Sequence, residues 1–179
     1  MFSRQIKRLM QSACSLCLTA VSANHALAQD APSRLADIDT PKALVEDCLA
    51  RAETGEVTQD SCIGTYANIC AFTAFSTVDM LGCMSSEADV WEVRLAERYE
   101  ALLEVYAAQD AFEDPIWALA PRLENAQAQW RDWRDAKCGF EYDKFRGGSM
   151  GRITGANCRL DETAKRALEL ETLLEEAQL

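Results

Sequence analysis

Apolar residues recur along most of this chain at helical spacing. Between Ser86 and Phe112, the residues Trp91, Leu95, Tyr99, Leu102 and Tyr106 follow steps of four, four, three and four, while Glu92, Glu97, Glu100 and Glu104 lie largely off that stripe. This is the period of an amphipathic helix. A second run, Ile116, Leu119, Leu123, Ala126, Trp130 and Trp133, predicts another buried helix face, with Asp114-Pro115 restarting the chain ahead of it. Pro121 interrupts that run. The helix either begins at Pro121 or makes a first turn from Ile116 and kinks there, and the periodicity favours the kink. A third run, Leu160, Ala164, Ala167, Leu170, Leu174 and Ala177, predicts a last helix starting near Leu160 and capped by Asn157 or Asp161.

The flanking segments carry their own signals. Thr40-Pro41 reads as N-cap and first helical residue of a helix running to about Ala52, with Gly55 stopping it. Thr58 is placed to cap a second helix carrying Cys62, Tyr66 and Ile69. Residues 70–83 are less regular, and Thr77-Val78-Asp79 suggests a turn into a short helical piece. Gly139 is expected to end the Trp130 helix, leaving residues 139–157 as a loop with five of the eight glycines. No segment alternates convincingly with strand-forming residues. The expected fold is therefore all-α, a small disulfide-tied helical bundle.

The N-terminus changes the chemistry available. Arg4, Lys7 and Arg8, a short apolar stretch over residues 13–23 and Ala26-Leu27-Ala28 have the layout of a secretory signal peptide, residues 1–28. The apolar stretch falls far short of the ~20 residues that span a bilayer, so no membrane span is expected after cleavage. Cys14 and Cys17 lie inside it and are read as part of the signal, without a lipid anchor. Residues 29–40 read as a polar, disordered leader, and residues 41–179 as a single helical domain. The one histidine, His25, belongs to the signal, so the remaining chain lacks the imidazole of Ser-His-Asp or Cys-His catalysis and of imidazole metal sites. No catalytic residue, cofactor or metal is expected. Cleavage leaves fifteen basic against 29 acidic residues, a net charge of −14. Such a surface repels nucleic acid and attracts cationic partners.

Six cysteines follow the signal: Cys48, Cys62, Cys70, Cys83, Cys138 and Cys158. An even number behind a secretion signal implies disulfides, with fifteen connectivities open. Pairing in sequence order, Cys48–Cys62, Cys70–Cys83 and Cys138–Cys158, is the simplest. The last of these brackets the glycine-rich stretch and would pin one helix end to the next helix start.

Residues 127–158 hold the most unusual pattern: Gln127-Ala128-Gln129-Trp130-Arg131-Asp132-Trp133-Arg134-Asp135-Ala136-Lys137-Cys138, then Gly147-Gly148-Ser149, then Cys158. Trp130 lies on the apolar repeat and is expected to be buried, and Trp133 is more evenly balanced between burial and exposure. The Arg-Asp pairs read as a solvated face. Arg134 is the exception, seven residues after Gln127 on the same face, where a partly buried guanidinium would organise the loop. Gly147-Gly148-Ser149 reads as a tight turn that glycine permits, with an anion-binding nest of N–H groups as the functional alternative. Glu169, Glu171, Glu175 and Glu176 read as a solvated helix face, whose functional alternative is attraction of a basic protein.

This pattern resembles the LprI-type lysozyme-inhibitor domain, a family of small secreted helical envelope proteins. The resemblance covers roughly Cys70 to Leu174. Upstream it takes in Cys70, Thr77, Asp79, Cys83 and Tyr99, and it supports the Cys70–Cys83 and Cys138–Cys158 bridges. Cys48 and Cys62 lie outside it and look like an addition. The resemblance implies a periplasmic or secreted, non-catalytic protein that blocks a basic lysozyme. The competing class is an envelope interaction or structural module without lysozyme binding, and the partner is a basic lysozyme or another cationic envelope protein.

Overall fold

The computed structural model describes residues 40–179. The expected signal peptide and residues 29–39 of the expected leader lie outside the described residues. Thr40 is the N-cap of helix α1 (Pro41–Glu53), its hydroxyl accepting from the Ala43 N–H, with Pro41 preset for the first turn. The expected Thr58-capped helix is split in two. A 3-10 turn spans Gln59–Cys62, the chain reverses at Gly64, and α2 covers Thr65–Phe72.

The largest departure from expectation is α3, which runs unbroken over Thr77–Asp110, about 50 Å. The Thr77-Val78-Asp79 segment is its first turn, not a separate short piece. Ser76 is the reason: its hydroxyl accepts from the Asp79 N–H and donates to the Asp79 carboxylate, closing a cap that lets the helix start there.

Pro121 does not kink a longer helix. A 3-10 turn at Pro115–Trp117 precedes α4 (Ala120–Asp143), in which Pro121 occupies the first turn. The carboxylate of Asp110 accepts from the N–H groups of Leu119 and Ala120 at 2.8 Å each, so the end of α3 caps the start of α4. Gly139 does not end α4, and the glycine-rich stretch is mostly helix. Only residues 144–148 form a turn, and α5 spans Ser149–Ala177. The last helix therefore starts at Ser149 behind Gly148, not near Leu160. Gly151 belongs in that helix because α4 passes so close: a Cβ there would sit 2.5 Å from the Tyr142 carbonyl oxygen.

Helices α3, α4 and α5 alternate in direction around one core, with α3 and α5 making the most extensive pair. Trp91 and Leu102 of α3 meet Leu160 and Leu170 of α5 among the fully buried side chains, each worth ~1.5–3 kcal/mol in burial. Helices α1 and α2 pack on the N-terminal half of α3, where α1 adds Val45 and Leu49 to the core. The cysteines bond in sequence order: Cys48–Cys62 ties α1 to the 3-10 turn, Cys70–Cys83 ties α2 to α3, and Cys138–Cys158 ties α4 to α5. Among the described residues there is no strand, and no helix is long and apolar enough to cross a membrane.

Candidate functional site

The buried edge of α4 is polar. Leu123, Gln127, Arg134 and Cys138 face inward, and the expected Ala126 and Trp133 positions face outward, Trp133 being 49% exposed. The inward face is thus turned by about one residue from the apolar repeat, because α5 presents polar partners. Gln127 is 1% exposed, and its side-chain oxygen accepts from Arg166 Nε at 2.9 Å. Arg134 Nη1 donates to Glu92 Oε1 at 2.6 Å and to the Thr163 hydroxyl at 2.8 Å. Its Nε lies 3.5 Å from Asp135 but makes no hydrogen bond. The guanidinium groups of Arg134 and Arg166 both lie over the Trp130 ring, at 4.8 and 5.9 Å from its centre. Trp130 is half-buried against the core, less deeply than expected, and serves as a platform for two cations. Lys137 adds a 2.5 Å contact to Glu162 of α5. The conspicuous motif is therefore a seam joining α3, α4 and α5.

A second polar centre lies under α2. Glu87 of α3 is 0% exposed. Its carboxylate accepts from the Gly64 N–H at 2.7 Å, the Ala67 N–H at 2.8 Å and Trp91 Nε1 at 3.0 Å. A side chain from another helix thus satisfies two of the free N–H groups at the start of α2. Sequence reading missed Glu87. Its signal was present: it sits at the i, i+4 step before Trp91 and Leu95, a carboxylate on an apolar stripe. Thr163 and Arg166 had a weaker signal, lying one step from the apolar face of α5.

The glycine turn is structural in the same sense. Arg146 and Gly147 both have positive φ, and the Gly148 N–H donates to the Phe145 carbonyl, so that donor is used within the turn. Ser149 is the first residue of α5.

The acidic residues Glu169, Glu171, Glu175 and Glu176 of α5 do not share one face. Glu171 is held by Arg94 and Arg98 of α3, with Arg94 bidentate at 2.6 and 2.7 Å. Glu169 is exposed but pairs with Arg166 at 2.7 Å. Glu175 and Glu176 are exposed. Spacings of two and five residues place Glu171 on the opposite side of the helix from Glu169 and Glu176, while Glu175, four residues on, lies nearer the side of Glu171. The expected solvated face is thus corrected at Glu171, a largely buried tie to α3.

A cavity of about 430 Å³ opens between α3, α4 and α5 beside Cys138. On its wall Glu92 pairs with Arg134 from behind and Asp135 with Arg159 at 3.4 Å, while Asp89 and Arg152 form no ion pair among the described residues. Among the described residues no group of His, Cys, Asp or Glu is arranged to hold a metal ion.

Exposed apolar side chains gather at the turns, with Phe140, Phe145 and Met150 around the α4–α5 turn and the most exposed ones at the other two. Between α2 and α3, Phe72 and Phe75 are 93% and 99% exposed, with Ile69 and Val78 beside them in sequence and also exposed. Between α3 and α4, Phe112, Ile116 and Trp117 are exposed. Apolar groups left in water at a turn are candidates for contact.

Comparison with known proteins adds the family. The chain is 30% identical over 109 residues to an uncharacterized protein of Rhizobium meliloti (strain 1021), covering 59% of this chain and 78% of that one. No solved structure matches it. The family model described as lysozyme inhibitor LprI matches residues 68–170, from α2 through the buried part of α5 and including the seam and both exposed turns. On that match, the chain belongs to the LprI lysozyme-inhibitor family.

Proposed function

We propose that this protein is a non-catalytic inhibitor that binds a cationic lysozyme in the periplasm or outside the cell. The observation that carries the reading is the family match over residues 68–170. Three features of the chain support it. Three disulfides suit an oxidising compartment. The net charge of −11, or −14 once residues 1–28 are removed, suits a basic partner. Inhibition by occlusion needs a complementary surface and no reacting group, which fits a chain whose one histidine precedes residue 29.

Opposite charge chiefly raises the association rate. Exposed Glu175 and Glu176 contribute to that attraction, whereas Glu171 is committed to Arg94 and Arg98. The test is direct. Purified protein is added to lysozymes of differing charge, and the clearing of a cell-wall suspension is followed. Clearing by a basic lysozyme should slow in proportion to inhibitor added. Association should weaken as salt shortens the Debye length to ~8 Å. Full clearing at micromolar protein with every lysozyme would remove the inhibitor reading and leave an envelope interaction or structural module.

A further inference from the structure

We propose that the disulfide-clamped turn between α2 and α3, with Phe72 and Phe75 at its tip, enters the substrate cleft of the cationic muramidase; this rests on the inhibitor reading above. From Ile69 to Val78 the chain carries no charged residue, and the side chains of Phe72 and Phe75 stand almost wholly in water. Exposing two phenylalanines three residues apart gains the folded protein nothing, and each forgoes ~1.5–3 kcal/mol of burial. The turn is nonetheless held in place. Cys70–Cys83 bridges its two arms, Glu87 fixes the start of α2, and Ser76 caps α3 immediately after Phe75. A turn ordered before contact loses little further entropy on binding.

Charge selects the occupant. From Ala52 to Val93 the chain holds seven carboxylates and no Lys or Arg. Glu87 is buried, and Glu56 and Glu92 pair with Arg51 and Arg134. Glu53, Asp60, Asp79 and Asp89 form no ion pair among the described residues, so this stretch keeps a net negative charge that attracts a cation. In the acidic run of α5, Glu169 and Glu171 are held by Arg166, Arg94 and Arg98. An apolar tip in an acidic setting is poorly suited to an anionic lipid surface. A second copy would bring like charge against like. A cationic enzyme whose cleft has an apolar wall meets both requirements, and lysozyme's general acid sits against such a wall, which keeps its carboxyl protonated. Aromatic groups seated there would exclude the glycan. The turn at Phe112 and Trp117 is the weaker candidate, since it has no disulfide clamp and Arg122 lies across it, donating to the Ile116 carbonyl.

The experiment compares the parent with Phe72→Ser/Phe75→Ser, Phe72→Tyr/Phe75→Tyr and Trp117→Ser. Affinity for a basic muramidase and inhibition of clearing are both measured, with thermal melts confirming the fold. The serine pair should lose about 30-fold or more in affinity, as for a pair of interface anchors. The tyrosine pair should retain inhibition, and Trp117→Ser should change affinity less than about threefold. A folded serine pair that inhibits like the parent would overturn the proposal while leaving the inhibitor reading intact. So would loss confined to Trp117→Ser, or sedimentation showing that the serine pair only dissolves a dimer. Failure of the parent to bind any muramidase would sink both together.

Discussion

The residue 127–158 segment and the α2–α3 turn contrast in what their side chains do. The first is crowded with groups that commonly mark binding sites: two tryptophans, alternating Arg and Asp, and a Gly-Gly-Ser turn. Its key members face inward or bind one another, with Gln127 on Arg166, Arg134 on Glu92 and Thr163, and both guanidinium groups over Trp130. The second is a plain uncharged stretch whose aromatic side chains touch little. The contrast teaches that a rich motif can be the internal fastening of a fold. The residues free to meet a partner are then the ones that the fold leaves unused.

The sharpest way to break this contrast begins beneath the turn. Glu87→Ala leaves two backbone N–H groups and the Trp91 indole without their acceptor, and should cost about 4 kcal/mol, since each unsatisfied buried donor costs ~1–3 kcal/mol. Urea denaturation measures it, and a loss below about 1 kcal/mol would show that water replaces the carboxylate. Within the motif, Cys138→Ala/Cys158→Ala should cost about 3 kcal/mol from the freed 20-residue loop, read from thermal melts at two scan rates.

The seam itself should yield smaller values. Arg134→Ala and Trp130→Ala are each expected to cost about 2 kcal/mol, because Trp130 is only half-buried and Glu92 can turn to solvent. Their double variant should cost less than the two added, since the cation stands on the ring. Strict additivity in denaturant melts would separate them. The smallest effect belongs to the turn: Phe72→Ser/Phe75→Ser should shift stability by less than about 0.5 kcal/mol. A larger loss would place those rings in the core and erase the contrast.

The sequence made the bundle legible where periodicity alone decides. Trp91, Leu95 and Leu102, and likewise Leu160, Ala164, Ala167 and Leu170, take the buried positions that their spacing predicts. It misled where tertiary packing overrode a local signal. Glycine suggested a loop over 139–157, yet Gly151 lies in α5 because the Tyr142 carbonyl leaves no room for a Cβ. Residues 70–83 looked irregular because the Ser76 cap, rather than an apolar repeat, starts α3. Charge was the least legible. Nothing in the spacing of Glu169, Glu171, Glu175 and Glu176 reveals that Arg94 reaches Glu171 from 77 residues away. Reversing all four to lysine would therefore disturb the fold as well as the surface. Glu175→Lys/Glu176→Lys is the cleaner probe of steering.

Amide hydrogen exchange on the protein alone and saturated with a basic muramidase tests the central claim most directly, that the seam fastens the fold and the uncharged turn meets the partner. The partner should add protection across residues 69–78 while leaving residues 127–143 and 149–166 unchanged. Added protection centred on Gln127–Cys158, with none at Phe72 and Phe75, would contradict it.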